Sequence, residues 1–226
     1  MKPTISINFH GIGDPKRTLE PDEAPYWVTR DQFENVLDRI AATPDPAAYV
    51  ITFDDGNQSD HDIALPALVA RGLTARYFVL TGRIGHPGSL NAGHIRTLQE
   101  AGMTIGSHGV AHVAWPTLEE GALTREICDS RARLEDICSQ PVTEAGIPFG
   151  RYDARVLRAL HTARYTAVWS SDGGKMKQNA FLRPRTSLRR DMTETMMASI
   201  LAGQMSPVRR LRRTLGMMRR QWIVTG

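Results

Sequence analysis

Apolar and polar positions divide the chain into strands and helices that take turns. Ile5-Ser6-Ile7-Asn8-Phe9 alternates between the two and predicts a first strand ending at His10. Tyr49 to Phe53 is a run of β-branched and aromatic residues, which predicts a buried strand over 48–53. Between them lies a proline-punctuated loop over 11–28. It is followed by a helix over 30–42, with Phe33, Val36, Leu37 and Ile40 on one face behind a Thr29/Gln32 capping box. Further strands are predicted at 75–80, 103–106, 143–147, 165–169 and 181–185. Further helices are predicted at 60–70, 91–102, 153–163 and 192–203, and a long one to about 139 opens at a Thr117/Glu120 capping box. Strands alternating with helices imply right-handed βαβ units and a parallel sheet. About seven strands fit a barrel-like, incomplete arrangement better than a flat sheet, with chemistry at the C-terminal strand ends.

Two such strand ends carry candidate chemistry. The strand 48–53 stops in Asp54-Asp55-Gly56. Successive side chains on an extended chain point to opposite sides, so both acids can face one site only where the strand is ending; Gly56 permits the turn. The strand 103–106 leads into Ser107-His108-Gly109-Val110-Ala111-His112. On a helical turn, histidines at i and i+4 share a face and can reach one cation. Gly109 stands where a His-Glu-x-x-His protease would carry glutamate. Two histidines and one carboxylate leave a fourth position open, an arrangement of catalytic rather than structural zinc.

These two motifs, followed by Pro148-Phe149-Gly150, resemble the ordered motifs of the polysaccharide deacetylase (NodB-homology, carbohydrate esterase 4) family. The likeness spans roughly 5–186. It implies an α/β fold, the distorted (β/α)7 barrel, and removal of an acetyl group from an N-acetylated sugar. It also assigns roles: Asp54 as catalytic base, Asp55, His108 and His112 as metal ligands, and the Phe149 N–H between Pro148 and Gly150 as oxyanion donor. The metal would be zinc, although such a ligand set also accepts cobalt, nickel or iron. The residues by themselves support only hydrolysis of an acyl group.

Two departures from the family pattern stand out. Common members end in a Leu-x-His strand that supplies the general acid, whereas Phe181-Leu182-Arg183-Pro184-Arg185-Thr186 holds no histidine. Some members look circularly permuted, with that histidine at the N-terminus, which makes His10 the candidate acid. The arginine that usually precedes the third motif and orients the base is also missing, because Ala145-Gly146-Ile147 occupies its place. Arg151, Arg183 or Arg185 could compensate, with Asp172 as the acid that partners such an arginine. The departures keep two alternatives open: a hydrolase of another non-peptide C–N bond, or a degenerate member that binds glycan or membrane without turnover. Tyr26, Trp27, Trp115, Tyr152 and Trp169 are candidates for the floor of a sugar site, or for packing.

Composition adds a tail to this body. Net charge is +4, and six arginines without an acid in 205–226 account for more than all of it. Val208, Leu211, Leu215, Met218 and Trp222 recur there every three to four residues. That describes a basic amphipathic helix able to lie on an anionic membrane, or to pack its apolar face on the barrel. The expected organisation is a catalytic domain over 1–204 and this tail over 205–226. An acidic body without a nucleic-acid motif argues against a specific nucleic-acid partner. No secretory signal or membrane-length apolar run is visible, which points to the cytoplasm. Cys128 and Cys138, about 15 Å apart on one helix, are expected to be buried thiols too far apart for a disulfide.

Overall fold

A computed structural model describes residues 4–223. In chain order its elements are β1 (Thr4–Phe9), β2 (Gly11–Ile12), β3 (Trp27–Val28), α1 (Arg30–Ala41), β4 (Tyr49–Asp55), α2 (Leu65–Val69), β5 (Ala75–Val79), α3 (Ala92–Glu100), β6 (Thr104–Ser107), α4 (Glu120–Cys138), β7 (Glu144–Gly146), α5 (Ala154–Thr162), β8 (Ala167–Ser170), β9 (Lys175–Met176), β10 (Leu182–Pro184), β11 (Thr186–Ser187), α6 (Glu194–Leu201) and α7 (Pro207–Trp222). The main sheet runs β10-β8-β7-β6-β5-β4-β1-β11, with every neighbouring pair parallel, and β9 joins β1 antiparallel.

Only Arg185 separates β10 from β11. The single run Leu182–Ser187 therefore pairs with β8 through its first half and with β1 through its second. It draws the two sheet edges together into a nearly closed, barrel-like sheet. With β10 and β11 read as one stave, the barrel has the seven parallel staves expected.

Alternation along β4 sorts the interior. Ile51 and Phe53 face outward into the main core, where they meet Phe33, Val36 and Leu37 of α1 and Leu65 and Leu68 of α2. Val50, Thr52 and Asp54 face the lumen. Val50 packs there with Phe78, Trp169 and Met176. Apolar residues thus fill the bottom of the barrel and polar ones its upper end.

Local details depart from expectation for identifiable reasons. The Thr29/Gln32 capping box forms, but the Thr117/Glu120 box does not. Thr117 Oγ1 instead donates to the Ala114 carbonyl (2.7 Å), closing a 3-10 turn, and α4 starts at Glu120. The helix expected over 60–70 opens as a wide π turn at Asp60–Ala64. Ser59 Oγ is occupied by the Ile12 N–H (3.2 Å), and Pro66 has no N–H to return to the preceding turn. Cys138 is buried but Cys128 is exposed, and both are free thiols.

Candidate active site

The two acids share one site because the strand bends at its last residue. Asp55 has φ +76° and Gly56 φ +73°, left-handed conformations that a non-glycine residue adopts at a cost. His112 (φ +51°) and Phe149 (φ +56°) are also left-handed, and with Asp22 (φ +63°) four of the six such non-glycine residues among those described line this cleft. Strain of this kind is retained where the surrounding structure fixes a functional geometry.

Asp54 points into the lumen and meets Arg185. Arg185 Nη1 and Nη2 donate to its two carboxylate oxygens at 2.7 and 2.8 Å, and Asn8 Nδ2 donates at 3.0 Å. Arg185 Nη1 also reaches Asn8 Oδ1 (2.8 Å) and Thr52 Oγ1 (3.2 Å). The arginine is fully buried over the Phe78 ring. Burial alone would raise the Asp54 pKa; the Arg185 charge outweighs it and holds the carboxyl well below the usual aspartate range.

His108 and His112 converge without a helix, contrary to the i, i+4 expectation. Residues 108–114 form a loop, pinned by Glu126 of α4, whose carboxylate accepts the N–H groups of Val110 (2.7 Å) and Ala111 (3.1 Å). Gly109 sits at φ +86° against that carboxylate, where an added Cβ would stand 2.5 Å from Oε2. His108 Nδ1 donates to the Gly146 carbonyl (2.8 Å) and His112 Nδ1 donates to Glu20 Oε2 (2.8 Å). Both Nε2 atoms are thereby turned to Asp55 Oδ1, at 3.5 and 3.6 Å. Burial lowers the His108 pKa and keeps its ring neutral, as a ligand must be.

Asp55 Oδ1 is buried and has no hydrogen-bond partner. It and the two imidazoles bring ligand atoms within 4.8 Å of one another. An orphaned carboxylate oxygen facing two imidazole nitrogens whose other nitrogens are anchored is a donor set suited to one divalent cation. Glu20 thus orients a candidate ligand. It lies in the loop before β3, where no periodicity marks it. Glu20→Gln is expected to weaken metal binding about 10–100-fold, read by chelator competition, with little change in Tm because the side chain is 41% exposed.

The remaining expectations divide. His10, at the end of β1, lines the same cleft as Asp54, Asp55, His108 and His112. Its ring lies against Tyr26, and its buried Nδ1 has no partner. The Pro148-Phe149-Gly150 turn places the Phe149 ring on His112, 4.3 Å between centroids. Of the three candidate arginines, Arg185 is the one on Asp54. The Arg185–Asp172 pair does not form: Asp172 accepts the Tyr152 hydroxyl (2.9 Å) and Ser170 Oγ (2.6 Å) and pairs with Arg220 of α7. Closer to hand, Arg185 already has a carboxylate in Asp54. Trp27, Trp115, Tyr152 and Trp169 are buried packing, and of the five aromatic candidates only Tyr26 lines the cleft.

Helix α7 turns Arg213 and Arg220 toward the barrel and leaves its apolar stripe, with Arg209, Arg210, Arg212 and Arg219, exposed. Arg220 pairs with Asp172 over the Tyr152 ring, and Arg213 donates to the Lys175 carbonyl (3.3 Å). Val208, Leu211, Leu215, Met218 and Trp222 are all more than half exposed. The packing of this stripe against the barrel does not occur.

A family model described as polysaccharide deacetylase matches residues 41–168, more than half of the chain. YxkH of Bacillus subtilis (strain 168), itself assigned to the polysaccharide deacetylases, is 28% identical over 158 residues, covering 70% of this chain and 53% of that protein. The chain thus spans about half the length of this curated relative. The fold matches that of the Streptococcus pyogenes deacetylase PplD, solved in complex with acetate, with a TM-score of 0.75 and 19% identity over 91% of this chain and 99% of that one. A de-N-acetylase from Aggregatibacter actinomycetemcomitans matches with a TM-score of 0.73 and 11% identity over 88% of this chain and all of that one.

Proposed function

The chain belongs to the polysaccharide deacetylase family, and from that premise we propose that it is a metal-dependent hydrolase removing the acetyl group from an N-acetylated sugar. The observation that carries this reading is the pairing of an arginine-clamped carboxylate, Asp54, with an Asp55-His108-His112 cluster at the floor of one cleft. A divalent cation held by that cluster, zinc or alternatively cobalt, nickel or iron, would acidify water and polarise the amide carbonyl. Asp54, kept ionised by Arg185, accepts the proton that the attacking water gives up. The Gly150 and Arg151 N–H groups are used within their own turn, and the Phe149 N–H serves the developing oxyanion. His10 protonates the departing amine, which otherwise leaves poorly.

The direct test is acetate release from N-acetylglucosamine oligomers and a nucleotide-linked N-acetyl sugar, with and without zinc. Metal-dependent release is expected, falling about 10²-fold in His10→Ala with metal content unchanged. Release that His10→Ala leaves intact would take the acid role from His10; no release from any of these substrates would count against the reaction.

We assign residues 205–226 a peripheral contact with an anionic membrane from the cytoplasmic side. No helix of the described residues is long and apolar enough to cross a membrane, whereas the exposed stripe on α7 is flanked by Arg209, Arg210, Arg212 and Arg219. A second copy would bring like charges together, and an anionic surface neutralises them at about 1 kcal/mol per residue. The full chain is expected to sediment with phosphatidylglycerol vesicles at low salt, about tenfold more weakly as Leu211→Ser/Leu215→Ser. An intact chain that stays in the supernatant would refute the contact.

A further inference from the structure

The cleft has a volume of about 670 Å³, and its lining carries more positive charge than hydrolysis of a neutral amide requires. Arg151, Arg189 and Arg209 all line it. Elsewhere on its walls opposite charges are matched: Glu23 holds Arg17, Glu20 holds Arg83, and Asp172 holds Arg220. Arg189 is paired with Asp191 (2.9 Å). Arg151 and Arg209 differ, because among the described residues no ion pair or hydrogen bond holds either guanidinium. Among the described residues Asp22 is the one cleft acid held by neither a hydrogen bond nor an ion pair.

Both free arginines stand on fixed supports. Arg151 follows the Phe149 turn directly, with its N–H donating to the Pro148 carbonyl at 3.1 Å. Arg209 lies in the first turn of α7, behind the Ser206 cap, on a helix clamped to the barrel through Arg220 and Arg213. A neutral N-acetyl sugar such as N-acetylglucosamine gives neither guanidinium a partner. The planar fork of arginine matches phosphate oxygens in pairs.

We propose that Arg151 and Arg209 form an anion subsite, so that the substrate is an N-acetyl sugar carried on a phosphate or diphosphate ester rather than a neutral glycan. The inference rests on the de-N-acetylase reading for the reaction, but the subsite can be tested by binding alone. A nucleotide diphosphate and a lipid diphosphate present the same group.

The experiment is calorimetric titration of the full chain, loaded with zinc, with three ligands. They are UDP-N-acetylglucosamine, a short-chain polyprenyl diphosphate N-acetylglucosamine and neutral diacetylchitobiose. Both phosphate ligands are expected to bind at least about tenfold more tightly than the neutral one, the strength of about one charged hydrogen bond. In Arg151→Ala/Arg209→Ala, two surface changes, that ratio should fall toward one. Tighter binding of the polyprenyl ligand would identify lipid as the carrier, and of the UDP sugar, a nucleotide. Equal binding of charged and neutral ligands would overturn the subsite. So would a ratio that survives the double variant, because the metal alone would then account for it. Arginine-dependent phosphate binding without acetate release would keep the subsite and sink the deacetylase reading, whereas acetate release without charge discrimination would do the reverse.

Discussion

Asp54→Asn is expected to lower acetate release by about 10³–10⁴-fold, the upper part of the range for a lost general base, while bound metal stays at the wild-type level. Asp54 is 3% exposed and does not belong to the triad of possible metal ligands. Asparagine fills the same volume and its carbonyl oxygen can keep one Arg185 prong. Its NH₂, however, would face Arg185 Nη2 and Asn8 Nδ2, a donor set against donors. The buried guanidinium also loses its counter-charge, so Tm should fall along with turnover. Elemental analysis separates the roles of the adjacent acids. If metal is lost together with activity, Asp54 and not Asp55 alone is holding the ion.

The candidate site's residues were legible in the sequence wherever they sat at the end of a recognisable strand. Asp54-Asp55-Gly56 and Ser107-His108 follow apolar runs, so the barrel places them at one mouth whatever the loops do. The seven-stave barrel followed from the alternation of elements. What could not be read were contacts closed across the barrel. Arg185 was one of three arginines with equal claim, and only the joining of β10 to β8 and of β11 to β1 turns it inward. Asn8 and Thr52 looked like polar positions of ordinary strands. Glu20 sits in a loop without periodicity, and its meeting with His112 spans 92 residues. The helical expectation for His108-x-x-x-His112 failed because spacing cannot distinguish a turn of helix from a loop pinned by Glu126. The tail's stripe was visible, but its direction was not. Inward arginines need Asp172 and the Lys175 carbonyl to receive them, and neither is near in sequence.

Arg185→Met should be the most damaging change to the fold and should also reveal how Asp54 is tuned. Methionine approximates the stem of the side chain and leaves the main-chain closure intact: the Arg185 N–H still reaches the Ser170 carbonyl, and its own carbonyl still accepts from Gly173, both at 2.8 Å. What disappears is the partner of a buried carboxylate, a loss of about 3–5 kcal/mol. The sign of the pH response follows from the direction of the shift. Asp54 titrates below its unfolded value because of Arg185, so the pair contributes stability above the ordinary aspartate pKa of about 3.9. That contribution fades as pH falls toward the depressed folded value. In Arg185→Met, burial acts without the opposing guanidinium and the Asp54 pKa rises. The acid limb of the pH–rate profile should therefore move to higher pH, a change that loss of packing alone would not produce. Arg185→Lys restores the charge but not the two-pronged grip. It should recover much of the stability and return the acid limb toward its original position, with kcat still reduced. An unmoved acid limb in Arg185→Met would mean that Asp54 is not the ionised base.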